Sequence, residues 1–219
     1  MDKAARVDTY LESKLNASDT VLEQAQSNSD AANLRQIQVS PLQGAMLQIL
    51  AQSMQARRVL EIGTLAGIST IYLGRGVGSE GKVVTCEIDE KAVEVAKANF
   101  KMAGLDQVIE IRAGAASETL KALVNDGVEA FDLVFIDADK QSCAEYLDLT
   151  LQLSRKGTLI IVDNVVRDGK VVDADSTDES VRGVRAMFDA MENNPKIKAT
   201  AIQTVGSKSY DGFAMATVL

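Results

Sequence analysis

Four polar side chains that could do chemistry stand at the ends of two strand-like apolar runs. Asp137 ends the first run and is followed three residues later by Lys140, whereas Asp163 and Asn164 end the second. In an open parallel sheet the carboxyl ends of the strands line the ligand crevice, so these side chains converge if the two strands are neighbours. Two carboxylates and an amide are hard oxygen ligands, which predicts a site for Mg²⁺, with Mn²⁺ or Ca²⁺ as alternatives, rather than for zinc.

A chelating acceptor fits such a site, because three protein ligands leave about half of an octahedral shell open. Two adjacent phenolic oxygens would chelate well, and Lys140 could take a proton from a hydroxyl that the metal has acidified. The same residues also have a structural explanation. One acid could cap a following helix and another could pair with Arg167, while Lys140 could form a salt bridge to Asp137 or Asp139.

A glycine turn after the first apolar run is a second candidate site. It contains Gly63, Thr64 and Gly67, with Glu61 before it and Ser69 after it. The dinucleotide fingerprint needs glycines at its first, third and sixth positions, and the third and sixth are apolar here, so pyrophosphate is disfavoured. Glu61 instead suits the ammonium group of S-adenosylmethionine, and Ser69 with the N–H groups of the turn suits its carboxylate. The alternative is a turn needed only for close packing of helix on strand.

Glu87 ends the second apolar run, where a carboxylate can accept hydrogen bonds from both ribose hydroxyls of a nucleoside. The alternative is that Glu87 or Asp89 caps the helix that begins near Glu90. Asp89 is the better placed of the two for that cap, because Glu87 lies one step earlier, at the tip of the strand. The ribose role is therefore the favoured interpretation of Glu87.

Composition excludes several classes of site and partner. The chain has no histidine, which rules out a Ser-His-Asp triad, a Cys-His pair and a histidine-ligated zinc. Its net charge of −8 disfavours general binding of nucleic acid. Cys86 and Cys143 are expected to be reduced. No secretory leader and no apolar run of about 18 residues is present, which predicts a cytoplasmic protein without a membrane span.

Apolar runs alternate with helical patterns through the middle of the chain, which is typical of a parallel sheet covered by helices on both faces. The predicted strands are residues 59–62, 83–87, 108–112, 131–137 and 158–163. The predicted helices between them are residues 68–73, 90–103, 117–124 and 143–153. Gly104 is expected to end the second of these helices.

The two ends of the chain differ from this middle part. Residues 1–56 are predicted to be helical, with a break at residues 28–30 and a new helix starting at Ser40-Pro41. After a helix at 181–191, strands at 199–205 and 213–219 with a turn-like link over 206–212 predict an antiparallel hairpin. We therefore expect one α/β domain over residues 1–219, with a helical extension over 1–56 and a cofactor- and metal-binding core over 57–219.

Three motifs together resemble the caffeoyl-CoA and catechol O-methyltransferase family of bacterial type. They are Val59–Thr64, Asp137–Lys140 and Val162–Val165, and the match runs from about Gln38 to the C-terminus. The resemblance implies a doubly wound, Rossmann-like sheet of seven strands, mostly parallel, with the last strand antiparallel. It also implies S-adenosylmethionine as donor, S-adenosylhomocysteine (SAH) as product, a divalent cation, and a small catechol-type acceptor such as caffeoyl-CoA or another ortho-diphenol.

The resemblance also implies roles for single residues. Val39 matches a position near the methionine end of the cofactor, and Gly114 and Ala115 match the stretch beside the adenine. The other implied cofactor contacts are Glu61, Gly63, Thr64, Gly67, Ser69, Glu87, Ile88 and Asp137. Asp137, Asp163 and Asn164 match the metal ligands, and Lys140 matches the proposed catalytic base.

The chain departs from the family at positions that concern the acceptor. Cys143 stands where bacterial and plant relatives often have an aromatic residue, although Tyr146 is kept. Animal catechol enzymes have a further acidic residue late in the chain, and its candidates here are Asp178, Glu179, Glu192 and Asp211. The first 37 residues match least well, and in this family that region and the loop over 165–178 help to shape the acceptor pocket.

Two other functions fit the same scaffold. A transfer-RNA hydroxyuridine O-methyltransferase would have similar site chemistry, but it would need a basic surface, which the acidic balance disfavours. A non-catalytic nucleotide-binding module is disfavoured because a retired site has no physical need for clustered acids. The family further implies a homodimer, for which the apolar N-terminal helices could supply the contact.

Overall fold

The computed structural model describes residues 3–16 and 18–219, and the chain forms two compact units that meet in sequence between Ala116 and Ser117. The first unit contains three N-terminal helices, α1 (Lys3–Leu15), α2 (Thr20–Ala31) and α3 (Pro41–Ser53). Strands and helices then alternate as β1 (Arg58–Ile62), α4 (Ile68–Val77), β2 (Lys82–Glu87), α5 (Glu90–Met102) and β3 (Ile109–Ala113). The single-domain organisation and its division at residue 56 stay predictions.

The second unit continues the alternation and ends in a hairpin. Its elements are α6 (Ala116–Asn125), β4 (Phe131–Ile136), α7 (Cys143–Gln152), β5 (Ser154–Asp163), α8 (Glu179–Met191), β6 (Ile197–Gly206) and β7 (Ser209–Val218). Short 3-10 turns lie at Lys140–Ser142 and Lys170–Val172. None of the helices in the described part of the chain is both long and apolar enough to cross a membrane.

The predicted fold class is confirmed, with seven strands in one mixed sheet. In the first unit β1 pairs with β2 and β2 with β3, both in parallel. In the second unit β4 and β5 are parallel, β7 is antiparallel to β5, and β6 and β7 form the predicted antiparallel hairpin. Strand residues such as Leu60, Val134 and Ile161 are fully buried, as expected for strands covered on both faces.

Local sequence signals explain where several helices begin and end. Ser40 caps α3 by accepting the N–H of Gln43, with Pro41 at the first helical position. Asp89 caps α5 by accepting two N–H groups of its first turn, as predicted. The same helix ends at Met102, and Gly104 follows with a φ of +68°, where a glycine is favoured.

Two local predictions were wrong. Residues 28–30 do not interrupt the helix, because α2 continues through them to Ala31, and Ser29 within that stretch is buried. The break instead comes at Asn33, whose φ is +53°. The link over 206–212 is also shorter than predicted, because β7 begins at Ser209 and its first residues pair with the end of β6.

Candidate active site

The glycine turn connects the carboxyl end of β1 to the start of α4. Its backbone has a φ of +101° at Gly63 and +83° at Gly67, a region that glycine adopts without strain. Gly67 is also required by packing, since a Cβ there would lie 2.3 Å from Cε1 of Phe100 in α5. The turn is therefore held closely against α5, which agrees with the packing role considered from the sequence.

Most N–H groups of the turn donate to other protein atoms. Gly63 N–H donates to the carbonyl oxygen of Cys86, and Gly67 N–H to that of Thr64. Thr64 and Leu65 N–H both donate to Oε2 of Glu87, at 3.2 and 2.7 Å. These four N–H groups therefore donate to protein oxygens in this structure, and not towards a site for the carboxylate of the cofactor as the sequence suggested. Ser69 lies in the first turn of α4 and is 8% exposed.

Glu61 lies in a buried cluster of threonines. Its side chain is fully buried, and its Oε2 accepts hydrogen bonds from Thr70 Oγ1 at 2.5 Å and Thr85 Oγ1 at 2.6 Å. Thr85 is joined in turn to Thr64 through their hydroxyls, 2.6 Å apart. This network fixes the carboxylate at the base of the glycine turn, and its contact with the cofactor stays a prediction.

Glu87 is joined to the backbone on both of its carboxylate oxygens. Besides the two turn N–H groups on Oε2, its Oε1 accepts Ile88 and Asp89 N–H at 2.9 Å each. A carboxylate has about four lone-pair positions, so these bonds orient the group firmly. Asp89 forms the helix cap. The four N–H groups occupy the lone-pair positions of Glu87, so the predicted ribose role would require ribose hydroxyls to replace some of these bonds, and that role stays a prediction.

The residues predicted to flank the nucleoside lie beside Glu87. Strand register pairs Glu87 with Ala113, and Gly114 N–H donates to the carbonyl oxygen of Glu87 at 2.8 Å. Ile88 is 72% exposed, and no atom lies within 4 Å of where a Cβ of Gly114 would be. Open space, an exposed apolar side chain and a carboxylate thus meet at the carboxyl ends of β2 and β3. Ala115 follows Gly114 and is exposed, whereas Val39, ahead of the α3 cap, is buried.

In the second unit, strand register brings the two predicted carboxylates together. Ile136 pairs with Val162 across the parallel strands β4 and β5, and Asp137 and Asp163 each follow directly. Neighbouring strands are about 4.8 Å apart and equivalent positions point to the same face of the sheet. Asp137 and Asp163 therefore follow paired positions of adjacent strands, and the contact between their side chains that the sequence predicts stays a prediction.

Asn164 comes next and has an unusual backbone. Its φ is +55°, in the left-handed region that asparagine tolerates better than most residues. Its N–H donates to Oδ1 of Asp163 at 2.8 Å, and Asp163 is only 6% exposed. The chain thus turns sharply after β5 with an amide and a carboxylate side by side. In residues 3–16 and 18–219, the surroundings of Asp163 included, no group of three or more acidic or thiol side chains is placed to hold a metal ion, and the metal-binding role of Asp137, Asp163 and Asn164 stays a prediction.

Lys140 forms the predicted ion pair with Asp137, with 2.8 Å between Nζ and Oδ1. The lysine is 7% exposed and sits in the 3-10 turn that follows β4. Helix α8 packs directly on this turn, because Gly183 has no side chain and a Cβ there would lie 2.2 Å from the carbonyl oxygen of Lys140. The salt bridge that was one alternative for Lys140 therefore exists, and it fixes Nζ beside Asp137.

Two side chains of α7 lie behind this lysine. Cys143 is fully buried, and burial raises the pKa of its thiol to about 11. Tyr146 donates its hydroxyl hydrogen bond to Asp139, and burial together with that bond raises the pKa of the phenol. Both groups are neutral near pH 7 and act here as packing and hydrogen-bonding groups.

A feature that the sequence did not single out is the attachment of the loop after Asn164. Oδ1 of Asp211 accepts the N–H groups of Val166 and Arg167, at 3.0 Å each, and Val165 N–H donates to the carbonyl oxygen of Gly212. Among the four late acids, Asp211 thus holds the loop. Asp178 instead caps α8 by accepting the N–H of Ser180.

A small cleft opens between this loop and the hairpin. The side chains around it are those of Arg167, Asp168, Lys170, Asp178, Ser209 and Asp211. An aspartate followed by glycine in a hairpin was the available sequence signal, but its partners lie more than forty residues earlier in the chain. Only the fold identifies them.

Comparison with known proteins places these features in a family. The profile of a family described as O-methyltransferase matches residues 12–215. The chain is 45% identical to a catechol O-methyltransferase of Niastella koreensis, over 97% of this chain and 96% of the relative. It is 47% identical to a catechol O-methyltransferase of Mycobacterium tuberculosis, over 97% and 94%.

A solved structure agrees with these sequence matches. The chain is similar to an O-methyltransferase from Bacillus cereus that was crystallised in complex with SAH. The TM-score is 0.97 at 47% identity, and the match covers 99% of this chain and 98% of the other. The resemblance inferred from three short motifs is thereby confirmed over almost the whole chain.

Proposed function

The chain belongs to the O-methyltransferase family, whose members use S-adenosylmethionine, and we propose that it methylates one hydroxyl of a catechol-type acceptor with the help of a divalent cation. The observation that supports the proposal is the register of β4 and β5, in which Asp137 and Asp163 follow a pair of adjacent residues, together with the ion pair between Lys140 and Asp137. Family membership supports the methyl transfer, and this register supports the metal.

The first unit holds the residues proposed to bind the cofactor. When bound, S-adenosylmethionine supplies an electrophilic methyl carbon and leaves as SAH. Glu87 is proposed to accept the ribose hydroxyls in place of some of the four backbone N–H groups that its carboxylate accepts in this structure. The open space beside Gly114 fits a flat base next to that carboxylate. Glu61, at the base of the glycine turn, is proposed to help bind the methionine end of S-adenosylmethionine. Val39 is proposed to lie near that same end of the cofactor.

The second unit holds the residues proposed to bind the metal. Asp137, Asp163 and the side-chain oxygen of Asn164 form a hard donor set, which fits Mg²⁺ better than a softer ion. When bound, such a cation lowers the pKa of a hydroxyl and holds two adjacent hydroxyls in one orientation.

Lys140 is the residue proposed to receive the acceptor proton, at Nζ, which must be neutral to do so. Loss of the proton that Nζ holds in its ion pair with Asp137 would be favoured by a bound cation beside it. Its ion pair with Asp137 and the contact of α8 with its backbone hold this atom in place. General base catalysis requires such positioning, because proton transfer needs hydrogen-bond reach between the two atoms. The low exposure of Lys140 also limits competition from water.

The acceptor class is proposed from the names of the two relatives, both catechol O-methyltransferases. The test is mass spectrometry of reactions with catechol, caffeate, caffeoyl-CoA, a flavonoid catechol and transfer RNA, each with S-adenosylmethionine and Mg²⁺. A product 14 mass units heavier on an ortho-diphenol, and none on its mono-hydroxyl analogue, is the expected result, with one CH₂ added. Product on transfer RNA alone would replace this proposal with RNA modification.

We also propose a homodimer. Helix α1 presents Val7, Tyr10 and Leu15 at 49, 61 and 71% exposure, and apolar side chains of this size are common in contacts between identical subunits. Light scattering should give twice the chain mass of 23.4 kDa. A mass equal to one chain at micromolar concentration would contradict the dimer without affecting the proposed chemistry.

A further inference from the structure

Helix α2 reaches the glycine turn through a buried asparagine of α5. Asn99 is fully buried, and its Nδ2 donates to the carbonyl oxygen of Ala66, within the turn, at 2.9 Å. Its Oδ1 accepts a hydrogen bond from Nδ2 of Asn28 in α2 at 2.7 Å. Asn28 therefore holds the amide of Asn99 in the orientation that donates to the turn.

A second chain of hydrogen bonds starts from the same helix and ends beside Val39. Oε1 of Gln26 accepts a hydrogen bond from Nε2 of Gln38 at 2.6 Å. Nε2 of Gln26 is itself fixed by Oδ1 of Asp30 at 2.7 Å and Oε1 of Gln36 at 2.9 Å. Hydrogen bonds between Gln26 and both Gln36 and Gln38 thus join the segment just before Val39 to α2.

Apolar side chains also connect the end of α2 with the glycine turn and α5. Leu34, just after α2, forms a buried cluster with Ala66 of the turn and Ala92 of α5. Ala32 and Leu65 pack against this cluster. The glycine turn is therefore reached from α2 through Asn28 and Asn99, and from the residues just after α2 through the packing of Leu34 on Ala66.

We propose that Asn28 and Gln26 of α2 are positioning residues for S-adenosylmethionine, acting through Asn99 on the glycine turn and through Gln38 on Val39. The inference rests on the proposed function, in which the turn and Val39 contact the cofactor. It assigns the N-terminal extension a role in cofactor affinity, in addition to any contact with the acceptor. The bond from Asn99 to Ala66 is fully buried, so water cannot replace Asn99 there, and Asn28 acts on that bond by orienting the Asn99 amide through a partly buried hydrogen bond.

The test compares Asn28→Ala and Gln26→Ala with Ser27→Ala, a control on the exposed side of the same helix. SAH binding is measured by calorimetry, and kcat and KM are measured for each substrate. Each of the first two variants should weaken SAH binding and raise KM for S-adenosylmethionine by about fivefold, the loss expected for one hydrogen bond. The values of kcat and of KM for the acceptor should stay within twofold of the wild type, and Ser27→Ala should match it throughout.

Asn28→Asp is a second variant, which keeps the shape of the side chain but removes the donor to Asn99. It should reproduce Asn28→Ala, and hydrogen exchange in residues 61–70 should be faster in both than in the wild type. Unchanged SAH affinity in Asn28→Ala and Asn28→Asp, with the wild type binding SAH, would overturn this inference alone. An equal loss in Ser27→Ala would overturn it too, by indicating general damage to α2. A wild type that binds no SAH would overturn the proposed function as well.

Discussion

Single residues in the second unit carry most of the proposed chemistry, and their roles are separable. Asp163 is almost buried at the end of β5, whereas Asp137 is paired with Lys140 at 2.8 Å. Removal of Asp163 therefore tests the metal, and changes at Lys140 test the base. Changes at Asp163 should affect the dependence of turnover on Mg²⁺, whereas changes at Lys140 should affect proton transfer and therefore kcat.

Replacing Asp163 with Asn should lower turnover with Mg²⁺ by about 100-fold or more. Residues that only support a metal ligand already cost about 10- to 100-fold when they are changed, so loss of a ligand charge should cost at least as much. SAH affinity should be unchanged, because the proposed cofactor contacts lie mainly in the first unit. Asp148→Asn, on the exposed side of α7, is the control. Normal turnover by Asp163→Asn would contradict the metal assignment.

Lys140 can be changed so that its charge and its basicity are separated. Arginine keeps the positive charge beside Asp137 but stays protonated at all working pH values, whereas methionine removes the charge as well. If Lys140 receives the proton, both variants should lose about 100-fold or more in kcat. Activity retained in Lys140→Arg and lost in Lys140→Met would instead mean that the reaction needs the ion pair with Asp137 and does not need Lys140 as a base. Circular dichroism of both variants checks that they are folded.

At the scale of elements, the loop after β5 is held by the β6–β7 hairpin. Asp211 accepts the N–H groups of Val166 and Arg167, and these bonds follow directly on the left-handed backbone of Asn164. Helix α8 is joined to the same loop, since Arg185 donates to the carbonyl oxygen of Val171 at 2.7 Å. The loop is therefore an ordered part of the second unit with few side-chain attachments.

Asp211→Ala should release this loop. Hydrogen bonds to a charged acceptor contribute about 1.5–3 kcal/mol, so the free energy of unfolding should fall by about 2 kcal/mol. KM for the acceptor should rise, because the loop follows directly on the proposed metal ligands that would hold the acceptor. KM for S-adenosylmethionine should not change, because the proposed cofactor contacts lie mainly in the first unit. Denaturant titration and steady-state kinetics measure both, with Asp189→Ala on the exposed face of α8 as control. Equal effects on the two KM values would contradict a role confined to the acceptor.

The elements that could be predicted from sequence are those with local causes. Caps at Ser40 and Asp89 and the stop at Gly104 are set by neighbouring residues, so their positions were predicted correctly. The carboxylate pair was predictable because strand ends meet at one edge of a parallel sheet. Asn99 gave no such signal, since its partners lie 33 and 71 residues away and only the tertiary structure brings them together.

At Asn28 the local sequence signal, a helix break, is one that the fold does not follow. Its polar neighbours made residues 28–30 look like a break, because asparagine, serine and aspartate often compete with helical hydrogen bonds. In the fold these residues have specific partners or burial, and α2 continues through them. Tertiary contacts therefore outweighed local propensity at the place where the helix supports the glycine turn.

At the scale of the whole molecule, each unit contains one buried thiol. Cys86 lies in β2 of the first unit and Cys143 begins α7 of the second. Burial raises the pKa of Cys86 to about 12 and that of Cys143 to about 11. Each thiol can therefore report the opening of its own unit.

Labelling of both thiols at pH 8 should be more than about 100-fold slower in the folded protein than in denaturant. The thiolate is the reactive form, and the unfolded pKa of about 8.5 makes it far more abundant once the chain unfolds. Mass spectrometry of peptides after labelling at increasing urea gives the midpoint for each unit. Fast labelling of either cysteine without denaturant would contradict its burial.

The most direct test of the central claim is methyl transfer to catechol from S-adenosylmethionine, measured with Mg²⁺, with EDTA, and with EDTA followed by excess Mg²⁺. We expect methylated catechol with Mg²⁺, loss of at least about 100-fold in rate with EDTA, and full recovery when Mg²⁺ is restored. SAH binding measured in EDTA should remain, which separates the metal from the cofactor. An undiminished rate in EDTA would contradict the role proposed for Asp137, Asp163 and Asn164.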